Sequence, residues 1–144
     1  MIQQLLNKIK IDVVIAPQTS GGTEVEGTIL DMQGYEGVIF VNYLGTPNAG
    51  NYLQAKQGNQ SNMGDAQTLA GSKVTSGASD EAQVLEIFQP SDRYVRPSVI
   101  RAGTNTTVGL CIAIRYGAMV EPRSSIVAGA MQVVQLVVPA EGTP

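Results

Sequence analysis

The chain has 144 residues, of which 43% are hydrophobic and 15% charged, and its formal net charge is −3. This length corresponds to a single domain covering residues 1–144. The acidic balance excludes the basic surface of a general nucleic-acid-binding protein, because phosphate contacts need clustered Lys and Arg. The sequence contains no histidine, which excludes Ser-His-Asp and Cys-His catalysis and most zinc and iron sites.

Two features of the sequence argue against a membrane partner and an export signal. The longest mainly apolar stretch, Ile126–Val138, contains glutamines and is shorter than the roughly 20 residues that a membrane-spanning helix needs. Met1–Lys10 lacks the basic run followed by an apolar region that characterises a signal peptide. We therefore expect no membrane association.

The first predicted strand shows the alternation of polar and apolar residues that is typical of half-buried β-strands. It covers Lys8–Val13 and stops before Pro17, which has no N–H for a strand ladder. The residues predicted to share its apolar face are Ile9, Ile11, Val13 and Ile15. Gly21 and Gly22 then predict a loop before the next strand.

Three further strands are predicted in the first half of the chain. Glu24–Leu30 is the second strand, and Asn51–Gln57 is a weaker one. Between them, Gly37–Leu44 has β-branched and aromatic residues on both faces. This composition is typical of a central strand that is covered on both sides.

A long segment without strand alternation follows at residues 58–80. It is rich in Gly, Ser, Asn, Gln and Ala, and we expect a long surface loop with one helical turn at Asp65–Leu69. Loops of this length are usually functional or disordered. Residues 1–7 are interpreted as an N-terminal arm and residues 139–144 as a polar C-terminal tail. All three segments are candidates for reaching a neighbouring molecule.

The second half of the chain carries four more predicted strands. Ala82–Gln89 is the first, and Arg93–Arg101 is interrupted by Pro97, so that we expect the latter to be an edge or bulged strand. Thr106–Tyr116 has the most regular alternation, with large apolar residues on one face and small ones on the other. Met131–Val138 is the last strand and is apolar on both faces.

About eight short strands separated by Gly and Pro turns predict an all-β fold. Their spacing favours a single-domain β-sandwich or jelly-roll. No stretch shows a sustained helical period, and the sequence contains no internal repeat.

Templates for catalytic and cofactor sites do not fit the chain. Gly71-Ser72-Lys73 resembles the end of a P-loop, but the preceding glycine lies too far upstream. Glu24 and Glu26 share a strand face, as a glycosidase pair would, yet the chain has few aromatic residues for a sugar cleft, and a solvated face is favoured. Cys111 is interpreted as a buried structural thiol. We therefore expect a protein that is not an enzyme and has no metal or cofactor.

An arginine cluster is the most distinctive polar feature of the sequence. Arg93, Arg96 and Arg101 lie on one predicted strand, and Arg115 follows nearby. Arginine suits bidentate, partly buried pairing, so the first three are candidate partner-binding residues for an acidic surface or a neighbouring subunit. The alternative is intrachain pairing, with the nearby carboxylates Asp92, Glu86 and Glu121.

Several short segments of structural character point to a family. They are 31–38 (DMQGYEGV), 93–97 (RYVRP), 101–107 (RAGTNTT), 112–114 (IAI), 116–118 (YGA) and 138–143 (VPAEGT). In these segments the chain resembles a group of small proteins of tailed bacteriophages that are encoded among the head genes. The resemblance covers most of the chain and is strongest from Arg93 onward.

This resemblance implies a structural virion protein of the capsid decoration (cement) type. Such proteins are commonly β-sandwich or jelly-roll folds, and they often form trimers at three-fold positions of the shell. The resemblance thus implies the major capsid protein as partner, a homotrimer, and a location on the capsid exterior. Two alternatives stay open, namely a carbohydrate- or surface-binding β-sandwich module and a head–tail connector or tail component.

Overall fold

The computed structural model describes residues 5–46, 50–77, 81–102, 105–119 and 131–132. Within these residues the chain has a 3-10 turn at Leu5–Asn7, no α-helix and twelve β-strands, which confirms the all-β prediction. The strands are β1 (Lys10–Ile15), β2 (Gln18–Gly21), β3 (Val25–Glu26), β4 (Leu30–Asp31), β5 (Gly37–Tyr43), β6 (Asn51–Gly58), β7 (Gln67–Thr68), β8 (Val74–Thr75), β9 (Ala82–Phe88), β10 (Tyr94–Arg101), β11 (Thr106–Val108) and β12 (Cys111–Tyr116).

Two antiparallel sheets form the layers of a β-sandwich. Sheet I has the strand order β1–β12–β5–β9, and sheet II is centred on the pair β10–β6. Short strands border sheet II, with β3 and β4 beside β10 and with β7 and β8 beside β6. Strands β2 and β11 form a separate two-stranded ribbon. The sandwich prediction is confirmed, and the described residues contain short strands that were not predicted.

The core lies between the two sheets and contains side chains from both. Phe40 of β5, Leu53 of β6 and Val99 of β10 are fully buried. Phe40 is the register partner of Ala113 on β12, and this small neighbour leaves the space that the Phe40 ring fills. The small residues Cys111 and Ala113 of β12 therefore point into the core, and Ile112, Ile114 and Tyr116 point outward. Val108 of β11, which was predicted on the same face as these large residues, is buried in the core instead.

Strand β1 buries a different face from the one that its alternation predicts. Of the predicted residues, Ile9 is buried just before the strand and Ile15 is buried at its end. Ile11 and Val13 are only half-buried and lie on the outer side. A register irregularity between Val13 and Ile15 returns the end of the strand to the core.

The inward face of β1 carries Asp12 and Val14. Arg115 of β12 donates from Nη2 to Asp12 Oδ2 at 2.7 Å, and the two side chains are only 9% and 10% exposed. Arg115 Nη1 also donates to the backbone oxygen of Asp31 at 2.7 Å, and the guanidinium lies 4.8 Å from the centroid of the Tyr35 ring. Because an unpaired buried charge is costly, this ion pair fixes which faces of β1 and β12 turn inward.

Strand β10 is central in sheet II, so the prediction of an edge or bulged strand at Arg93–Arg101 is wrong. Its register with β6 is continuous from Tyr94 to Arg101. On its other side, β3 and β4 leave a gap opposite Pro97, where the Gly27 N–H donates to the Pro97 carbonyl at 2.8 Å. Because Pro97 faces this gap, no ladder hydrogen bond is lost through its missing N–H.

Strand β5 is central in sheet I, as predicted, but sheet II covers only one of its faces. It pairs with β12 on one side and with β9 on the other. Val38 and Phe40 are fully buried on the inner face, whereas Ile39 and Val41 are half-buried on the outer face. Ile39 and Val41 contributed to the prediction of a strand covered on both sides, and in the structure they belong to an apolar outer surface.

Other predicted strands are interrupted or displaced. Glu24–Leu30 is replaced by the short strands β3 and β4, and Thr106–Tyr116 divides into β11 and β12. Strand β2 occupies Gln18–Gly21, where the glycines predict a loop. The short strands β2, β3, β4 and β11 are only two to four residues long, which leaves little alternation for a pattern to reveal.

The described part of the predicted long loop, residues 58–77, is held against sheet II. It contains β7 and β8 and no helical turn at Asp65–Leu69, so that part of the prediction is wrong. The Leu69 N–H donates to the Ala55 carbonyl at 2.9 Å, and the Ala55 N–H donates to Ser72 Oγ at 3.1 Å. These bonds fasten the segment to β6.

Some predictions fall on residues outside the described ranges. Most of the predicted strand Met131–Val138 and all of the tail at 139–144 lie outside them. The same holds for residues 1–4 of the arm and residues 78–80 of the long loop. For these segments the predictions stay predictions.

The buried ion pair generates a stability prediction. Arg115→Ala leaves the Asp12 carboxylate buried without its partner, and we expect the free energy of unfolding to fall by about 3–5 kcal/mol. Urea denaturation followed by circular dichroism measures it. Arg93→Ala is the matched control, because its ion pair with Asp31 is 47% and 41% exposed and its loss is expected to cost less than about 1 kcal/mol. Equal losses in the two variants would contradict the assigned role of Arg115.

Candidate interaction surfaces

The three arginines predicted to bind a partner all have contacts within the chain. Arg101 is buried, and its Nη1 donates to the backbone oxygens of Thr19 at 2.9 Å and Thr106 at 3.0 Å. Its Nε donates to the backbone oxygen of Thr23 at 2.8 Å. Arg101 of β10 thereby links the segment 19–23 to β11, and its guanidinium lies inside the fold, away from solvent.

Arg96 belongs to a charge network on the outer face of sheet II. Lys56 Nζ lies 2.7 Å from both Glu24 Oε1 and Glu26 Oε1. Arg96 forms an ion pair with Glu26, and the Ser98 hydroxyl donates to Glu24. The two cations and two anions neutralise one another, so this face of the sandwich has polar groups but no net charge from the network.

The network also decides what Glu24 can do chemically. Hydrogen bonds from Lys56 and from Ser98 hold the pKa of the Glu24 carboxyl below its ordinary value. The pKa of Lys56 is raised, because its hydrogen bonds with Glu24 and Glu26 outweigh the opposing effect of burial. A general acid needs a raised carboxyl pKa, so Glu24 is suited to ion pairing and not to proton donation.

Arg93 is the arginine of the predicted set whose side chain is most open to solvent. Its Nε and Nη2 donate to the two carboxylate oxygens of Asp31 at 3.0 Å and 2.7 Å. This bidentate pair lowers the pKa of Asp31. Arg93 also borders an open groove of about 540 Å³ that is lined in part by Tyr35, Asn59 and Met119. The role of Arg93, Arg96 and Arg101 in partner binding stays a prediction.

The outer face of sheet I is apolar across all four strands. The side chains on this face are Ile11, Val13, Ile39, Val41, Tyr43, Val84, Glu86, Phe88, Ile112, Ile114 and Tyr116. One row across the strands runs Val13, Ile112, Val41 and Val84. Val84 and Phe88 are 57% and 59% exposed. The central residues Ile39, Val41, Ile112 and Ile114 are half-buried. An apolar surface that extends across four strands and is open to solvent at the β9 edge is a candidate interaction site.

The acidic residue on this face is hydrogen-bonded within it. The Tyr116 hydroxyl donates to the Glu86 carboxylate, and the Tyr116 ring lies so close to Gly37 that a Cβ there would collide with it. Gly37 thus allows the ring to lie across β5. Burial, followed by the Glu86 interaction, raises the pKa of Tyr116 to about 12, so the hydroxyl keeps its proton and remains a donor.

No site was predicted on this face from the sequence. One sequence feature that indicates this face is the composition of β5. Gly37–Leu44 is apolar on both faces, although sheet II covers only one of them. A second signal is the small-residue face of β12, because Cys111 and Ala113 can be buried in the core only if Ile112 and Ile114 point outward. Neither signal names a partner, but together they locate the exposed apolar surface.

Residues considered for chemistry have structural contacts instead. Cys111 is fully buried, and burial raises the pKa of its thiol to about 12. The Lys73 ammonium lies 4.5 Å from the centroid of the Tyr52 ring, and the Asp65 carboxylate accepts the Asn59 N–H at 2.8 Å. Among the described residues, no group of three His, Cys, Asp or Glu side chains could hold a metal ion.

No protein-family model matches this chain, and no curated protein is significantly similar to it. In the part of the chain that the structure describes, no helix is long and apolar enough to cross a bilayer.

The charge network generates a prediction for pH dependence. Because the folded pKa of Glu24 is lowered, its pairing stabilises the protein above the ordinary carboxyl pKa of about 4.5, and this contribution is lost as pH falls through the folded pKa. Glu24→Gln should cost a few tenths of a kcal/mol at pH 7, and this cost should shrink as pH falls and the Glu24 carboxyl of the folded wild type takes up its proton. Urea titrations of both proteins from pH 7 to pH 2 measure the difference in the free energy of unfolding, and a difference that stays the same across this range would refute the pairing.

The buried thiol generates a prediction for reactivity. Cys111 has no access to solvent and keeps its proton at neutral pH, so we expect no reaction of the native protein with Ellman's reagent at pH 8 over hours. One thiol per chain should react at once in 6 M guanidinium chloride. Rapid stoichiometric labelling of the native protein would show that β12 does not pack as described.

Proposed function

We propose that this protein is a non-enzymatic structural protein of a tailed-bacteriophage virion that binds the assembled capsid shell and stabilises it, as a decoration or cement protein. Its partner is the major capsid protein, it acts on the capsid exterior, and its working form is a homotrimer. The resemblance of segments such as 93–97 and 101–107 to small phage head proteins supports the phage context.

The observation that carries the proposal is the apolar outer face of sheet I. Ile39 and Val41 of β5 and Ile112 and Ile114 of β12 form its centre, and they lie on strands that are hydrogen-bonded on both sides. The backbone beneath this face is therefore held by hydrogen bonds, and the face presents side chains whose removal from water by another protein is favourable. A surface of this kind suits the recognition of a shell and not the conversion of a substrate.

The opposite face of the sandwich supports the same orientation. The network of Lys56, Arg96, Glu24 and Glu26 on sheet II satisfies its own charges. Such a face remains hydrated without attracting a charged partner. We infer that sheet I faces the shell and that sheet II faces solvent.

The size of the face explains why several copies would act together. Four strands spaced by about 4.8 Å and about six residues at about 3.3 Å each give a face of roughly 400 Å². This is about half of the roughly 800 Å² per partner in a standard interface, so one copy binds weakly. A trimer engages three faces at once and gains affinity through multivalency. Binding only the assembled shell then stabilises that shell by mass action.

Co-sedimentation with expanded, empty capsids of the phage that encodes the protein tests the proposal. We expect saturable binding at a fixed ratio to the capsid subunit. Ile39→Lys places a charge at the centre of the apolar face and should weaken binding at least about tenfold, because burial of an Ile side chain contributes about 1.5–3 kcal/mol. Gln67→Lys adds the same charge at an exposed position of sheet II and should bind as the wild type does.

Two outcomes would contradict the proposal. One is the absence of wild-type binding to expanded capsids at any protein concentration up to solubility. The other is equal binding by Ile39→Lys and the wild type, provided that circular dichroism shows both to be folded, because the apolar face would then not be the contact.

A further inference from the structure

The two edge strands of sheet I differ in how they are protected against further pairing. At one edge, β1 begins with Lys10, has a register irregularity after Val13 and is followed by Pro17. Charges, bulges and prolines are the usual devices that stop an edge from pairing with another chain. At the other edge, β9 (Ala82–Phe88) has no lysine or proline, and its register with β5 is regular throughout.

The backbone groups on the free side of β9 can be identified from one hydrogen bond. Just beyond the strand, the Gln89 N–H donates to the Glu36 carbonyl at 2.8 Å. Hydrogen-bonded pairs alternate along an antiparallel ladder, so the residues of β9 that bond to β5 are the odd-numbered ones. Val84, Glu86 and Phe88 therefore direct their N–H and C=O groups away from β5, where no described strand pairs with them.

A groove runs beside this edge. It has a volume of about 280 Å³ and lies between residues 69–72 and residues 85–88. The half-buried Leu69 and Ile87 contribute apolar surface to it. An added strand would thus find backbone partners on β9 and an apolar wall for the side chains that it turns toward the core.

The side chains of the edge define the chemistry of that strand. Val84 and Phe88 are exposed on the outer face, and Glu86 lies between them. Neighbouring strands match side chains row by row. The fitting strand therefore has apolar residues beside Val84 and Phe88, and between these an amide or basic side chain that can donate to Glu86.

We propose that the free edge of β9 is an interface at which an extended strand of a second copy of this chain adds to sheet I. The chain itself contains a segment of the required pattern, in which a glutamine lies between apolar residues at alternate positions. It comprises Val133, Gln135 and Val137 and lies outside the described residues. This is strand addition to a sheet edge, in which main-chain hydrogen bonds supply affinity and alternate side chains supply specificity.

Strand addition would also enlarge the surface that is proposed to bind the shell. The added strand continues the rows of sheet I, so its outward apolar side chains extend the face beyond Val84 and Phe88. The inference deepens the homo-oligomeric part of the proposed function and rests on it. It can be tested in purified protein without capsids, so its failure is separate from a failure of capsid binding.

Site-specific photo-cross-linking tests the interface. The full chain is made with p-benzoylphenylalanine at Val84 and, as a matched control, at Gln67, which is exposed on a short strand of sheet II. Illumination should link two chains through position 84, giving a product of twice the 15.2 kDa chain mass on a denaturing gel, and should link none through position 67. A link within a single chain, located by peptide mass spectrometry, or no link at position 84, would overturn the proposal.

A protected-edge variant gives a second readout. Val84→Lys adds the kind of charge that guards natural sheet edges, and its exposed position should leave the fold intact. Light scattering should show that the wild type is oligomeric and that Val84→Lys falls to the 15.2 kDa mass of one chain, whereas Gln67→Lys keeps the wild-type mass. A monomeric wild type, or an unchanged mass for Val84→Lys, would overturn the proposal.

Discussion

The ion pair between Asp12 and Arg115 is the constraint on which the surface of this protein depends. It lies between β1 and β12 and is almost fully removed from solvent. Strand side chains alternate between faces, so a slip by one residue would expose this pair and turn the other face inward. With Arg115 and Ala113 directed toward the core, Ile112 and Ile114 must face outward. The packing of Phe40 over small residues of β12 enforces the same choice.

The two outer faces of the sandwich differ because of this choice. Sheet I presents β-branched and aromatic side chains, and its acidic residue Glu86 is hydrogen-bonded to Tyr116. Sheet II presents a network in which Lys56 and Arg96 pair with glutamates. One face is therefore suited to displacing water against another protein, and the other to remaining hydrated. The two faces therefore differ in the surfaces that they can bind. The proposed binding of a shell through one face requires such a difference.

The sequence predicts the fold class well and the surface poorly, for a physical reason. Long strands such as Gly37–Leu44 carry enough alternation and β-branched residues to be located. The period alone does not say which face is buried, because that depends on partners distant in sequence, such as Asp12 and Arg115. For the same reason the sequence does not reveal that Arg101 donates to the backbone oxygens of Thr19 and Thr106, and its role in partner binding stays a prediction. Pro97 led to the wrong prediction of an edge or bulged strand. The strands beside β10 are interrupted opposite Pro97, so its missing N–H leaves no ladder hydrogen bond unmade.

The most direct test of the central claim is the orientation of the sandwich on its target. A cryo-electron map of expanded capsids carrying the bound protein, at a resolution that separates the two sheets, measures it. We expect the outer face of sheet I, centred on Ile39 and Ile114, to lie against the capsid subunits, with Lys56 and Arg96 of sheet II facing solvent. A bound protein whose sheet II network lies against the shell, with the apolar face of sheet I open to solvent, would contradict this account.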